Sequence, residues 1–349
     1  MEAAVRDSLG NDGPARPPDV DDGLIAGIAA YRRHPWRREL SDPPTIWTEG
    51  GSRILDYGGT GRPVLFVPSL VNRAYVLDLM PGGSMMRWLA AHGVRPFLLD
   101  WGWPGEIERS FNLTDYVVGR LIRAIGATSA ATDGPIGLAG YCMGGDLAVA
   151  AATLRPDLLA ALVLIATPWD FHAGDPSRAL RAAAMVPWLE PAMATTGTIP
   201  IDALQTLFAF LDPFGVGDKY RAFGRSDPSG PRAQMFVALE DWLNDGVPLA
   251  ACVGRECLTR WYGENATARG EWRIAGMPVD PSSLRLSTFV AISTRDRIVP
   301  PDSARPLAAA IPGAVELVAP AGHVGMVAGS GAEKTLWLPL VNWLTASGR

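Results

Sequence analysis

Short apolar runs alternate with stretches of helical spacing along most of the chain. The run at 64–67 is continuously apolar, which is typical of a parallel strand that is buried on both faces. Runs of this kind predict strands at 45–49, 53–57, 64–68, 96–100, 136–139, 162–166, 288–292 and 315–318. The segments between them predict helices at 84–92, 113–125, 144–154, 302–310 and 337–345. This alternation predicts an α/β fold with a mostly parallel central sheet that is flanked by helices.

The alternation stops between residues 170 and 270. This interval carries proline, tryptophan, phenylalanine and methionine without a clear buried strand, and its spacing is helical. We interpret it as a helical cap inserted between two parts of the core, 45–169 and 271–349. Residues 1–44 are expected to be disordered or loosely packed, because the first 22 are rich in aspartate and proline and offer little to bury.

Composition narrows the class of protein. The chain has 349 residues, 48% of them hydrophobic and 19% charged, so it can bury a large core. Its net charge of −5 argues against a nucleic-acid partner. No apolar run approaches the roughly 20 residues that span a bilayer, and the N-terminus lacks an apolar signal segment, so we expect a cytoplasmic protein without a transmembrane segment. Three cysteines are too few for a disulfide scaffold, and we expect no metal and no cofactor.

The segment Gly-Tyr-Cys-Met-Gly-Gly at 140–145 carries the strongest chemical signal. It follows a short apolar strand and begins an alanine-rich helix, which is the context of a nucleophile elbow, with Cys142 in the place of serine. Glycine two positions before and two after Cys142 avoids collisions in a tight turn. A thiol at a helix N-terminus is favoured as a thiolate by the helix dipole and the free N–H groups. We therefore predict Cys142 as the nucleophile.

A nucleophile needs a base and a group that orients the base. His323 lies in a glycine-flanked loop after the last predicted strand and is the first candidate for the base, with His172 as the second. Asp296 directly follows the strand at 288–292 and is the candidate acid. The chain order Cys142, Asp296, His323 is that of α/β-hydrolases. The oxyanion hole is expected from the Met143 N–H and one N–H of the loop 69–73.

A cysteine nucleophile favours acyl transfer from a thioester. A serine acyl-enzyme is an ester and has lost much of the activation of a thioester substrate. A cysteine acyl-enzyme is itself a thioester, so the acyl group stays activated toward a hydroxyl or amine acceptor. This is a tendency, since cysteine hydrolases use the same group.

The motifs together resemble the poly(3-hydroxyalkanoate) synthases, in particular the short class III type. The resemblance covers roughly residues 45–345. The matching stretches are Pro-Val-Leu-Phe-Val-Pro-Ser-Leu-Val-Asn-Arg at 63–73, Tyr-Val-Leu-Asp-Leu at 75–79, Ser84 to Trp88, Leu-Asp-Trp-Gly at 99–102, the Cys142 segment, Trp-Leu-Asn-Asp-Gly at 242–246, Trp-Tyr-Gly-Glu-Asn at 261–265, Asp-Arg-Ile-Val-Pro at 296–300 and Gly-His at 322–323. The resemblance favours Val71 over Leu70 as the second oxyanion donor.

The resemblance implies an acyltransferase that polymerises 3-hydroxyacyl groups from coenzyme A thioesters through a covalent thioester on Cys142. His323 would deprotonate Cys142, and Asp296 would orient His323 or help to activate the incoming 3-hydroxyl. It also implies a homodimer or a second synthase subunit, a place on cytoplasmic polyester granules, and a cap that moves to admit substrate.

Two other functions stay open from the sequence. The same three residues would serve a cysteine-dependent hydrolase: a thioesterase, an esterase or an intracellular depolymerase of the same polymer. A catalytically silent granule-binding protein would keep the fold alone, but Cys142, Asp296 and His323 are all present, which counts against it.

Overall fold

The computed structural model of the protein describes residues 21–211 and 215–346, with side chains described outside 209–216. The strands are β1 Thr45–Glu49, β2 Ser52–Asp56, β3 Arg62–Val67, β4 Val94–Asp100, β5 Ile136–Tyr141, β6 Leu159–Ile165, β7 Thr198–Ile199, β8 Leu249–Ala250, β9 Arg273–Ile274, β10 Met277–Pro278, β11 Thr288–Ser293 and β12 Val315–Ala319. The α-helices are α1 Asp22–Arg33, α2 Met85–Ala91, α3 Ile122–Ala131, α4 Met143–Leu154, α5 Pro176–Ala183, α6 Val186–Thr196, α7 Ile201–Leu211, α8 Gly215–Gly224, α9 Pro231–Asn244, α10 Ala251–Glu256, α11 Pro301–Ala310, α12 Gly325–Ala328 and α13 Leu338–Ala346. π-Helical turns occupy Asp115–Leu121, Cys257–Gly263 and Glu333–Trp337.

The central sheet has eight strands in the described part of the chain, in the order β1-β2-β4-β3-β5-β6-β11-β12. β1 and β2 pair antiparallel with each other, as do β2 and β4, and every pair from β4 to β12 is parallel. The eight strands predicted from the apolar runs are the eight strands of this sheet, with ends that differ by up to three residues. The predicted α/β fold with a mostly parallel sheet is confirmed.

The central strands β3, β5, β6 and β11 are buried over most of their length, whereas the edge strands β1 and β12 are largely exposed. Leu65 and Val67 of β3 pack into one apolar cluster, whereas Val64 and Phe66 of the same strand pack into the other. Successive side chains of a strand point to opposite faces, so a strand covered on both sides needs apolar residues at every position. This explains why the run at 64–67 lacks polar residues. The carboxyl ends of the parallel strands β3, β5, β6 and β11 lie at one edge, where ligands bind in open α/β sheets.

The N-terminal segment contains a helix that the sequence analysis missed. The segment 1–44 was expected to be disordered or loosely packed, but α1 covers Asp22–Arg33 and begins with Asp21, whose side chain accepts the Leu24 N–H. α1 and α8 form a compact unit of their own. A Cβ at Gly27 would lie 2.0 Å from Tyr220 O, so glycine at this position permits the close contact. The expected tail at 1–20 lies outside the described residues.

The interval 170–270 is largely helical, as expected, but it also contains a buried strand pair. β7 and β8 pair antiparallel through Thr198 with Ala250 and Ile199 with Leu249. Two-residue strands are too short to leave a period in the sequence, and this pair was missed for that reason. The role of the interval as a cap stays a prediction. Among the described helices, none is both long and apolar enough to cross a membrane.

Candidate active site

The turn that carries Cys142 connects β5 to α4. Cys142 has φ 55° and ψ −132°, a conformation that residues with a side chain rarely adopt. Its N–H donates to Ile165 O at 2.9 Å, and its carbonyl accepts the Gly145 N–H at 2.8 Å. The neighbouring strand and the first turn of α4 therefore hold the strained residue in place.

Two glycines make this turn possible. A Cβ at Gly140 would lie 2.4 Å from Gly145 Cα, and a Cβ at Gly144 would lie 2.0 Å from Val67 O on β3. Both contacts are with backbone, which cannot move aside without shifting a strand or the helix. The sequence predicts that side chains at these two positions would collide within the turn or with the neighbouring strand, and the structure shows both kinds of collision for an added Cβ.

Asp296 and His323 lie together at the carboxyl end of the sheet. Asp296 follows β11 and His323 follows β12, and Asp296 Oδ2 is 2.6 Å from His323 Nδ1. Asp296 Oδ1 accepts the N–H groups of Ile298 and Val299 at 2.9 and 2.8 Å. Asp296 is buried, so both oxygens are fixed and one of them is directed at the imidazole.

His323 also interacts with Cys142. Burial alone would lower the pKa of His323, but its interactions with Cys142 and Asp296 outweigh burial and raise the pKa to about 10. The Tyr141 ring stacks on the imidazole with centroids 5.2 Å apart, and its hydroxyl donates to His323 O at 3.3 Å. The structure thus places the three predicted catalytic residues close together, with Asp296 hydrogen-bonded to His323 and His323 interacting with Cys142.

A cavity of about 360 Å³ opens above Cys142. Its floor includes Ser69, Val71, Cys142 and Met143. Met143 is the first residue of α4, so its N–H has no acceptor within the helix. The Val71 N–H donates to Ser69 Oγ at 3.2 Å, which occupies the second predicted oxyanion donor. Val71 and Met143 both border the cavity, and their role as an oxyanion hole remains a prediction.

Comparison with known proteins assigns the chain to a family. It is 30% identical over 286 residues to the poly(3-hydroxyalkanoate) polymerase subunit PhaC of Allochromatium vinosum, a match that covers 81% of this chain and 80% of that protein. It is also 30% identical over 296 residues to the polymerase subunit PhaC of a Synechocystis species, with 81% and 77% covered. The chain belongs to the poly(3-hydroxyalkanoate) polymerase family. This membership makes it an enzyme of the acyltransferase type. No family model matches the chain.

Solved structures confirm the α/β-hydrolase fold of this polymerase family member. The putative non-heme bromoperoxidase BpoC of Mycobacterium tuberculosis superposes with a TM-score of 0.54 at 18% identity, covering 90% of this chain and 100% of that one. The thioesterase domain from the curacin biosynthetic pathway gives 0.51 at 15% identity, covering 88% and 100%. At such low identity the likeness concerns the fold alone.

The other histidines of this polymerase family member have structural partners. His172, the second candidate base, contacts Tyr262 O through Nε2 at 2.8 Å. His92 ends α2, stacks on Trp88 and contacts Trp88 O through Nδ1. His34 contacts Pro228 O through Nε2 at 2.7 Å. The contacts of His172 leave His323 as the histidine that reaches Cys142.

Three residues near the site escaped the sequence analysis. Tyr141 was part of the quoted motif, but its stacking on His323 joins residues that are 182 positions apart. Cys257 borders the cavity as a second thiol, and burial, followed by the charge of Glu256, raises its pKa well above the usual value. Asp146 lies on α4 and is fully buried, with no hydrogen-bond partner for either oxygen among the described residues. A charged residue inside the apolar helix at 143–154 was the available signal for Asp146.

Proposed function

We propose that this chain is a poly(3-hydroxyalkanoate) synthase that transfers 3-hydroxyacyl groups from coenzyme A thioesters onto a growing polyester through Cys142. Membership of the polymerase family supports the reaction class. The observation that carries the covalent mechanism is that Cys142 borders a mostly apolar cavity and interacts with His323, which is hydrogen-bonded to Asp296. Of the three predicted catalytic residues, Cys142 is the one that lines the cavity.

The first half-reaction loads the enzyme. Cys142 Sγ attacks the thioester carbonyl carbon of the substrate, and a new carbon–sulfur bond forms as the bond to the coenzyme A sulfur breaks. His323 holds the thiol proton and delivers it to the departing sulfur. The products are an acyl thioester on Cys142 and free coenzyme A, so the activation of the acyl group is conserved.

The second half-reaction extends the polymer. The 3-hydroxyl of a further 3-hydroxyacyl-CoA attacks the carbonyl carbon of the acyl group on Cys142, and His323 accepts the hydroxyl proton. An ester bond forms, the bond to Sγ breaks, and the lengthened chain is released as a coenzyme A thioester. Cys142 then takes this chain back as in the first half-reaction and frees coenzyme A.

Asp296 acts by orienting His323. One of its oxygens is held by two backbone N–H groups and the other contacts Nδ1, which assigns proton exchange with Cys142 to Nε2. We assign stabilisation of the tetrahedral oxyanion to the N–H groups of Met143 and Val71. Val71 serves in this role once its N–H leaves Ser69 Oγ for the substrate oxygen.

The proposed product is a polyester, so the enzyme is expected to work at the surface of a polyester granule. The family resemblance also implies a homodimer or a second synthase subunit. Residues 170–270 would act as the cap that opens to admit substrate. Leu180 on α5 and Trp188 on α6 are exposed by 48% and 79%, which suits contact with an apolar surface.

The test follows coenzyme A release and the acyl product from 3-hydroxyacyl-CoA thioesters of four and eight carbons. Wild type should release thiol and form polymer, Cys142→Ala should do neither, and Cys252→Ala, which changes a cysteine outside the cavity, should match wild type. Peptide mapping should place the acyl group on Cys142 and not on Cys257. Thiol release that yields only free 3-hydroxy acid would replace the synthase with a thioesterase.

A further inference from the structure

The loop at residues 69–73, here called the oxyanion loop because it contains Val71, runs from one apolar cluster to the other. Leu70 packs into the first cluster, and Ala74, directly after the loop, packs into the second. Between them Asn72 has φ 67°, in the left-handed region that asparagine visits more readily than most residues. Such a conformation persists where the surrounding structure holds it.

Two tryptophan indole groups hold the two ends of the oxyanion loop. Trp101 Nε1 donates to Pro68 O at 2.9 Å, at the residue before the loop. Trp242 Nε1 donates to Arg73 O at 2.7 Å, at the last residue of the loop. Both tryptophan side chains are buried, so the packing of each ring fixes the direction in which its N–H points.

The two tryptophans come from different parts of the chain. Trp101 directly follows β4 of the central sheet, whereas Trp242 lies in the last turn of α9, within the interval 170–270. The same end of α9 makes a second contact with the loop, because Asp245 Oδ1 accepts Arg73 Nε at 3.3 Å. The interval that is predicted to act as a cap therefore holds Arg73 by its carbonyl oxygen and by its guanidinium.

These contacts fix the backbone of the oxyanion loop and leave the Ser69 side chain to rotate. The Val71 N–H donates to Ser69 Oγ at 3.2 Å, and rotation of Ser69 about its Cα–Cβ bond is enough to free this donor. The backbone does not have to move for the N–H to meet a substrate oxygen. A donor that is already aimed at the place where negative charge develops stabilises that charge without a cost of reorganisation.

We propose that Trp242 and Asp245 are positioning residues of the acyl-transfer site, which hold Arg73 and thereby keep the Val71 N–H in place for the oxyanion. The inference rests on the proposed function, because that function assigns the oxyanion to the Val71 and Met143 N–H groups. It adds a connection between the interval 170–270 and the reacting carbonyl group, and this connection runs through the backbone of the oxyanion loop.

The experiment compares two reactions of Cys142 in the whole chain. Acylation by a 3-hydroxyacyl-CoA thioester passes through a tetrahedral oxyanion, whereas alkylation by iodoacetamide displaces iodide from a saturated carbon and forms no oxyanion. Thiol release measures the first reaction, and peptide mapping at Cys142 measures the second. Trp242→Phe keeps an aromatic ring and removes the N–H. It should lower kcat for thiol release about tenfold or more, leave KM within about threefold, and leave the rate and pH dependence of alkylation within about twofold.

Trp337→Phe is the matched control, because Trp337 is also buried and its Nε1 donates to Val327 O at 3.1 Å. Val327 lies on α12, which follows His323 in the chain, so any effect of this variant should change acylation and alkylation alike. Asp245→Asn decides the matter if Trp242→Phe fails to fold. The Asp245 side chain is 44% exposed, so the fold should tolerate the change, and we expect acylation alone to slow about threefold or more.

Equal losses of acylation and alkylation in Trp242→Phe, or no loss of acylation, would overturn the inference while the synthase proposal stands. If wild type released thiol without forming polymer, the synthase proposal would fail, and the ratio of the two rates would still decide the inference. A wild-type protein that is alkylated at Cys142 but accepts no acyl group would overturn both.

Discussion

Asp296 contacts His323 through Oδ2 and Nδ1 at 2.6 Å, while its other oxygen is held by the backbone N–H groups of Ile298 and Val299. The carboxylate is thus fixed before it meets the imidazole. Such a carboxylate determines which nitrogen of the histidine carries the proton and which faces the nucleophile.

Asp296→Asn should therefore abolish most acyl transfer while the protein stays folded. The amide oxygen can still accept the two backbone N–H groups, but the amide NH2 facing Nδ1 favours the wrong imidazole tautomer. We expect kcat to fall by roughly 10²- to 10⁴-fold. Thiol release from a 3-hydroxyacyl-CoA thioester measures the loss. Asp157→Asn, at an exposed ion pair with Arg155, is the control and should keep full activity. A loss of less than threefold at Asp296 would remove its orienting role.

The contribution of His323 to the stability of the protein should decline as the pH rises above neutrality. Its pKa is raised to about 10 in the folded state from an ordinary value of 6.5. The stabilisation is complete below pH 6.5 and is lost toward pH 10, because only the folded state keeps the proton in this interval. The free energy of unfolding should fall by up to about 1.4 kcal/mol per pH unit over that range.

Urea denaturation of wild type and His323→Gln across this range isolates the contribution. The difference between the two proteins should shrink steadily from pH 6.5 to 10. A difference that stays constant would mean that His323 titrates alike in the folded and unfolded chains.

The sequence predicted the parts of this molecule that depend on local pattern. Continuous apolar runs such as 64–67 mark strands covered on both faces, and short strands were predicted at all eight positions of the sheet. The glycines around Cys142 predicted a tight turn because the collisions they avoid lie within a few residues or on the adjacent strand. Asp296 and His323 were selected by their positions just after predicted strands, and the fold brings their side chains within 2.6 Å of each other.

The rest depends on contacts between distant segments. α1 was missed because its partner α8 lies about 190 positions away, and a short amphipathic stretch beside a polar tail gives a weak signal on its own. The cavity is formed by segments from 69 to 303, so neither its volume nor its lining can be predicted from any single stretch of sequence. The hydrogen bond from the Val71 N–H to Ser69 Oγ depends on the geometry of the loop, which residue types alone do not predict.

Gly144→Ala should unfold the turn around Cys142. The new methyl group would lie 2.0 Å from Val67 O, so β3 or α4 must shift. We expect the free energy of unfolding to fall by about 2 kcal/mol or more, with loss of activity. Gly126→Ala on α3 is the matched control, because no atom outside its own helix lies within 4 Å of its new Cβ. That variant should gain about 0.5–1 kcal/mol. Thermal and urea denaturation compare the stabilities of the two variants, and equal stabilities would contradict the steric explanation.

Asp146→Asn should stabilise the protein, and more so as the pH rises. Burial, reinforced by the charge of Cys142, raises the pKa of Asp146 well above its ordinary value, so the folded chain keeps a proton that the unfolded chain releases above about pH 4. Above that pH this group lowers the free energy of unfolding of wild type by up to about 1.4 kcal/mol per pH unit. The amide variant has the same shape and no such titration. Its advantage in urea denaturation should therefore grow between about pH 4 and 7.

Asp302→Asn, at an exposed pair with Arg305, provides the comparison and should show no such growth. If wild type were the more stable protein at neutral pH, the Asp146 carboxyl would have to be ionised and paired when folded. The two unpartnered oxygens of Asp146 argue for the opposite, since a lone buried carboxylate costs more free energy than a protonated one.

Activity offers a second readout for Asp146→Asn. A neutral Asp146 adds no charge beside Cys142, so the amide variant should keep the pH profile of thiol release.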